Sequence, residues 1–495
     1  MAAGLLIGFV SLAIPLLRDF HWESAGAAAL VVTFMAALLS VKRSVSSFTV
    51  LRKCTGLLTG WAIPLFVFAF FTNCLSFDGA AYWLFSPLPS MFLGWAVGRL
   101  VRNFNFKFRR STVISIILSI AIIPVLVEFF MFPQLYFFNH VWGYWPGPIY
   151  DEYVPFDNRF LIFRGITFFW VLILWSIPGF FNEMIYRWIT VLALFSILFS
   201  YIHASDWGLI APEERLQSEL GAVIETDHFR IFYTSGTVDT EILEGWANDH
   251  EEHLASISNA LEIDKTRYLS EKIHSYVYQD ARQKKKLTGA GQTSYVPVWI
   301  GQDQMHIASA QLNRVLKHEL VHIIAKQFAN WFGASTSIGL VEGLAVAIDP
   351  DRYSSTIDQL VAAHEVWPDE AGIRRLFSPG GFYAVAGPIS YVVSGSFVKH
   401  LLENYPVENL KQAYRTGNIE QAYAPYTLEQ LTDSWHRYLA TVDVDEEDAR
   451  RSVALFSTDS IFQKPCPRVD QQRRFREQFA GFSQYHSNTL QVPCS

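Results

Sequence analysis

Charge is scarce in this chain. Asp, Glu, Lys and Arg make up 17% of its 495 residues while hydrophobic residues make up 51%, which excludes an ordinary water-soluble enzyme surface over the whole length. Positive charge is scarcer than negative: 39 Lys and Arg stand against 46 Asp and Glu, a net charge of −7. A nucleic-acid binder usually carries a basic face, so no nucleic-acid partner is expected. There is no internal repeat and no low-complexity run, which excludes a repeat architecture. Cysteine is limited to four residues.

The little charge present divides the chain. Residues 1–203 hold 13 Lys and Arg against 8 Asp and Glu (net +5), and residues 204–495 hold the other 26 against 38 (net −12). Apolar runs fill the first part at about 3–17, 25–41, 56–76, 80–100, 112–132, 160–180 and 186–203. Most approach the roughly 17–25 residues that a bilayer-crossing helix needs, so an α-helical membrane domain of about seven spans is expected over 1–203. The first run is the weakest, being short and holding Pro15. It has neither a basic leader nor a small-residue cleavage site, and is read as retained.

Basic residues give an orientation. With seven spans, Lys42, Arg43, Arg52, Lys53, Arg99, Arg102, Lys107, Arg109, Arg110 and Arg187 fall on one side, and only Arg18, Arg159 and Arg164 on the other. The positive-inside rule then puts the amino terminus in the cytoplasm and everything after residue 203 outside it, in a plasma or inner membrane. The aromatic loop 133–159 falls on the outer side, as an interfacial belt or a docking surface. Cys54 and Cys74 belong to the apolar part, whereas Cys466 and Cys494 each sit beside proline in the polar tail (KPCP, VPCS). In an oxidising compartment a Cys466–Cys494 disulfide is expected, worth roughly 3–4 kcal/mol; the alternative is two free thiols.

Beyond residue 203 the pattern changes. Residues 204–224 read as a connecting segment. HFRIFY (228–233), KIHSYVYQ (272–279), SYVPVWIG (294–301) and MHIASA (305–310) read as strands, with an amphipathic helix at 238–261. Helices are expected at about 312–328, 338–348, 353–365, 388–404, 407–414 and 427–441, and the order of strands before helices suggests an α+β domain over 225–441. Residues 442–495 form a tail, in which DVDEED (443–448) reads as a helix start.

One motif organises this half: HELVH, residues 318–322. On a helix His318 and His322 share one face at i and i+4, close enough to bind one metal ion, while Glu319 lies about 100° round the turn beside a water. The flanking Val315, Leu316, Leu320, Val321, Ile323 and Ile324 imply burial, and buried histidines need partners. A tetrahedral zinc ion, Zn2+, needs another protein ligand, and Glu342 in IGLVEGLAVA is the candidate. A turn between Gly333 and Gly339 would bring its helix back, and Gly343 would let the two helices cross closely.

HELVH followed by VEGLA resembles the gluzincin metallopeptidases, and especially the peptidase-MA-like domains in which a Glu-Gly-x-Ala helix supplies the third ligand. The order of HFRIFY, a long helix, KIHSYVY, MHIASA and HELVH is similar to that domain's, and the likeness covers roughly 225–441. ISYVVSGSFVKHL (389–401) resembles the helix of aminopeptidase N-like enzymes whose tyrosine helps bind the oxyanion, which implies that role for Tyr391; Tyr383, in GGFYAVAG, is the runner-up. The Gly-x-Met-x-Asn strand of those enzymes is absent, so endo- and exopeptidase action both stay open. CAAX-processing proteases have Asp four residues after the ligand Glu, where this chain has Val346. Site-2 proteases keep the zinc helix in the bilayer, whereas here Lys317, Lys326 and Gln327 flank it.

The resemblance implies a membrane-anchored zinc metallopeptidase acting on extracytoplasmic proteins or peptides, with the lipid bilayer as its other partner. Glu319 would take a proton from the attacking water and give it to the leaving amine. His306 and Tyr383 are candidates for substrate contact, with a partly buried strand histidine as the plainer reading of His306, and an extended peptide would add as a strand along 305–309. Two alternatives come from other classes: a catalytically silent module that grips a peptide or envelope partner, and a transporter or receptor with an accessory zinc domain.

Overall fold

Long apolar runs become helices in the first part of the chain: α1 (Ala2–Leu12), α2 (Trp22–Ser40), α3 (Ser47–Phe71), α4 (Phe77–Phe85), α5 (Pro87–Asn103) and α6 (Arg109–Met131). A hairpin of β1 (Phe137–Asn139) and β2 (Gly143–Trp145) follows, then α7 (Asn158–Ser176) and α8 (Met184–Ile202). The computed structural model describes residues 1–104, 106–147, 152–350, 356–364, 366–385, 387–457 and 459–476. The chain forms two units: Met1–Pro212 with the segment that begins at Phe462, and Glu213–Ile461.

Among the described residues, six helical stretches of the first unit are long and apolar enough to cross a membrane: α2, α3, α4 with α5, α6, α7 with the turn that follows it, and α8. The expected seventh, at 3–17, is not among them. Helix α1 has 11 residues, about 16 Å at 1.5 Å per residue against a hydrocarbon core of about 30 Å. The chain turns after Leu12, with Leu16 in a left-handed conformation (φ 67°) before Pro15's successor residues reach α2. Instead of crossing, α1 lies along α3. A Cβ on Gly4 would stand 2.2 Å from the carbonyl oxygen of Leu57, and Trp61 donates its indole N–H to Ser11 (3.0 Å).

Arg164 on α7 is buried and spends its donors on backbone carbonyls, of Phe85 (2.8 Å), Asn139 (3.0 Å), His140 (3.3 Å) and Ser86, and on the Ser90 hydroxyl (2.6 Å). It thereby stitches the break between α4 and α5 to the hairpin. The aromatic loop expected at the surface is partly core, since Tyr136, Phe137 and Phe138 are buried.

The tail does not fold as one piece. Cys466 is bonded to Cys74 (Cα–Cα 5.3 Å), which corrects the expected Cys466–Cys494 pair. The physical reason is that the segment from Phe462 folds onto the first unit, where Arg468 forms a buried ion pair with Glu23 and Arg18 donates to the carbonyl of Lys464 (2.5 Å). Position 494 lies outside the described residues. Cys54 is a buried free thiol.

The second unit runs α9 (Glu213–Leu220), β3 (Gly221–Glu225), β4 (Phe229–Thr234), α10 (Thr240–Ala260), α11 (Arg267–Ser270), β5 (Ile273–Tyr278), α12 (Ala281–Thr288), β6 (Gln304–Ala308) and α13 (Leu312–Ala325). Helices then follow alone: α14 (Ile338–Ile348), α15 (Ile357–Ala362), α16 (Glu370–Leu376), α17 (Gly387–Asn404), α18 (Val407–Thr416), α19 (Ile419–Tyr423), α20 (Leu428–Leu439) and α21 (Glu446–Phe456). The sheet order is β3-β4-β5-β6, with β3 antiparallel to β4 and the other pairs parallel. The strand expected at 294–301 shrinks to one bridge, Tyr295 opposite His306, because Pro297 has no N–H for a ladder.

Alternation along the strands sorts residues to two faces. Phe229, Ile231, Ile273, Val277, Met305 and Ile307 join Trp246, Leu254 and Ile257 of α10 and Leu316 and Leu320 of α13 in one core. The acidic run at 443–448 is a helix start: the Asp445 carboxylate accepts from the backbone N–H groups of Glu447 and Asp448 and so caps α21.

Candidate metal centre

Helix α13 runs through the middle of that core. Every residue from His318 to Ala325 is buried, so the two histidines sit among apolar neighbours rather than on a wet face. Their rings are 4.9 Å apart between centroids and nearly perpendicular, as expected for i and i+4 on one face.

The chain leaves α13 through a short turn at Lys326–Phe328, and Lys326 pairs with Asp303 (2.8 Å). Ser337 then caps α14 by accepting from the Leu340 N–H (3.3 Å). Helix α14 returns with Glu342 in its second turn. One carboxylate oxygen, Oε2, lies 3.3 Å from His318 Nε2 and 3.6 Å from His322 Nε2. One ligand atom from each of the three side chains falls within 4.8 Å of the others. Burial alone would raise the Glu342 carboxyl's pKa, but His322 and His318 hold it well below the usual range, so it stays ionised, as a ligand must.

The donor chemistry fits a metal: two imidazole nitrogens and one carboxylate oxygen, a set that leaves a tetrahedral ion one position for a ligand from outside the protein. His318 Nδ1 is buried with no hydrogen-bond partner among the described residues. Packing rather than an outer hydrogen bond therefore orients that ring, a departure from the usual metal-bound histidine. Glu319 is 5% exposed and stands outside the three-ligand group. No hydrogen bond or ion pair engages its carboxylate among the described residues.

Gly343 does not serve the crossing of α13 and α14. A Cβ there would meet the Ser394 carbonyl oxygen of α17 at 2.9 Å, and one on Gly395 would meet Val346 at 2.3 Å. The two glycines thus let α14 and α17 approach closely. That contact brings Tyr391, half-buried on α17, to 6.4 Å from the His318 ring between centroids. Tyr383 lies in a turn at Gly381–Ala384 and packs on Phe382 (5.8 Å), the ring that also holds Tyr391 (5.0 Å).

His306 is on the wrong side for substrate contact, a correction to the sequence reading. In register with Tyr276 across β5 and β6, it points to the sheet face opposite the core that holds α13. Its ring is stacked between Tyr276 (4.9 Å) and Tyr295 (4.6 Å). Both nitrogens are engaged, Nδ1 with the Tyr278 hydroxyl and Nε2 with Gln304, each at 2.9 Å. The bridge from Tyr295 also occupies the backbone of His306, where an added strand was expected.

Two supports were not read from the sequence. Asp358 on α15 accepts from Ser396 and Lys399 of α17 (both 2.7 Å) and from Tyr438 of α20 (2.8 Å), fixing the helix that carries Tyr391. Tyr414 on α18 is buried and feels the Glu342 charge; burial first and that carboxylate second push its phenol upward. Asp358 lies 38 residues before Ser396 and 80 before Tyr438, so no local spacing betrays the cluster.

No family model matches the chain, and no curated protein matches it.

Proposed function

We propose that this protein is a membrane-anchored zinc metallopeptidase with a gluzincin-like catalytic unit, hydrolysing peptide bonds in extracytoplasmic proteins or peptides. The observation that carries this reading is the meeting of two imidazoles and one carboxylate from two helices, with Glu319, the residue after His318, buried and its carboxylate unengaged among the described residues. A silent binding module has no use for that extra carboxylate.

His318, His322 and Glu342 would hold the ion. Zinc in such a set supplies a Lewis acid with one open position, lowering the pKa of a water there toward roughly 7. Glu319 would take a proton from the attacking water and deliver it to the leaving amine as the C–N bond breaks. Tyr391 donates a hydrogen bond to the carbonyl oxygen as negative charge gathers on it.

Six spans keep the basic clusters at Lys42–Lys53, Arg99–Arg110 and Arg187 on one side and unit 213–461 on the other. The positive-inside rule favours an extracytoplasmic catalytic unit. The Cys74–Cys466 disulfide fits an oxidising compartment on that side. With six spans rather than seven, the residues before α2 lie on the same side as the catalytic unit instead of in the cytoplasm.

The test is metal analysis of the purified full chain, with a peptide-library digest comparing wild type and Glu319→Gln. One zinc per chain in both, with cleavage by the wild type only, supports the reading. Zinc in both with no peptide cut by either overturns it.

A further inference from the structure

Trp331 is 85% exposed and its neighbour Phe332 is 50% exposed; no other large apolar side chain described in the second unit is more exposed than Trp331. Their rings stack 3.5 Å apart between centroids. They sit in the connection from α13 to α14, between the helices that carry His322 and Glu342. From Phe328 to Val341 the chain holds no charged residue, in a half that is otherwise strongly acidic.

The pair is built into the fold. The Phe332 N–H donates to the Asn330 side chain and the Gly333 N–H to the Asn330 carbonyl, both at 2.9 Å. Gly333 has φ +77° and lies so close to the Val298 carbonyl oxygen that a Cβ would be 2.9 Å away. Phe328 anchors the start of the turn in the core against Tyr414 (5.2 Å). The result is a fixed apolar knuckle in a place where water would ordinarily select polar residues.

We propose that Trp331 and Phe332 dock into the interfacial zone of the lipid bilayer. The occupant follows from the chain's own connections. Residues 203–212 join the second unit to the end of α8, a reach of at most about 35 Å when fully extended. At its other end Ile461 leads within a few residues to Cys466, bonded to Cys74 just beyond α3. A lipid surface is therefore a permanent neighbour of this unit. Tryptophan and phenylalanine framed by asparagine and small residues suit the headgroup boundary, where the rings lose water and the indole N–H keeps polar partners. If the peptidase reading holds, on which this last step rests, docking keeps the ligand ends of α13 and α14 at the membrane, and chain segments lying at that surface are the substrate class.

The test uses the full chain in phosphatidylcholine vesicles. Spin labels are attached through Trp331→Cys or Phe332→Cys, in a Cys54→Ala, Cys494→Ser background, with Leu269→Cys and Val453→Cys as exposed controls. The expected result is a several-fold higher ratio of oxygen to nickel-chelate accessibility at 331 and 332 than at the controls, kept when the protein is diluted to one copy per vesicle. Equal ratios at all four sites overturn the proposal, as does a ratio that collapses on dilution, which would identify a second copy as the occupant. The readout needs neither zinc nor turnover, so a failure of the peptidase reading leaves it intact.

Discussion

Glu342 Oε2 stands 3.3 Å from His318 Nε2, although the two residues belong to different helices separated by a turn. Two buried imidazoles and a half-buried carboxylate that converge at this spacing are a set that could hold one ion, so under the proposed function each side chain should matter to the metal. Glu342→Ala is expected to lower zinc affinity by more than the roughly 10–100-fold that loss of an outer partner costs. Chelator competition measures it. Unchanged affinity would mean that residue 342 is not a ligand.

The two tyrosines separate by rate. Tyr391 has a ring contact with His318, whereas Tyr383 touches the site through Phe382. Tyr391→Phe should lower kcat by about 10²–10³ with zinc content and KM little changed, the effect of losing one oxyanion donor. Tyr383→Phe should change kcat far less. The reverse ranking in steady-state kinetics would move the role to Tyr383.

The candidate metal centre was legible because its signal is local: His318 and His322 are one helical turn apart, and the apolar run 338–348 coincides with α14. What failed was set by distant partners. His306 reads as half of an alternating strand, but only the pairing of β6 with β5 decides which half faces α13. Strand β3 is short, exposed at alternate positions and at the sheet edge, so 221–224 looked like linker. Cys466 sits far nearer Cys494 in sequence, yet a folded tail brings it to Cys74. The first apolar run has a span's composition without its helix, because the chain turns at Leu12.

Acid should loosen the second unit through His250. Burial lowers its pKa from the ordinary 6.5 to about 4, and its ring is engaged with the Trp246 carbonyl and the Ser275 hydroxyl. A depressed histidine contributes stability that is complete above the unfolded value of 6.5 and is lost as pH falls through about 4. The loss amounts to about 3 kcal/mol between those limits. Thermal melts of the full chain should therefore fall less from pH 7 to pH 4 in His250→Gln than in wild type. Equal falls would show that the ring titrates freely in the fold.

The disulfide is checked directly. A non-reducing digest should yield a cross-linked pair of peptides containing Cys74 and Cys466. Cys466→Ser should cost about 2–5 kcal/mol and expose the segment after Phe462 to limited proteolysis, with Arg468 and Glu23 still slowing its release. A Cys466–Cys494 peptide pair in wild type would overturn the tail's placement.

Gly343 links packing to chemistry. It is the residue after Glu342, and a methyl group there would lie 2.9 Å from the Ser394 carbonyl oxygen and 3.0 Å from Val398. That carbonyl belongs to α17's backbone and cannot rotate away, so α14 or α17 must shift by some tenths of an ångström. Overpacking of this kind costs about 1–3 kcal/mol. The shift acts on both functional side chains, since α14 carries Glu342 and α17 carries Tyr391. Gly343→Ala should therefore weaken zinc binding and lower kcat together. Gly372→Ala is the control, because a Cβ there meets side chains at 3.0 and 3.4 Å and no backbone carbonyl. Chelator titration and single-turnover cleavage on the same preparations read the two effects. A Gly343→Ala protein that loses stability but binds zinc and cleaves at the wild-type rate would show that α17 does not set the geometry of the centre.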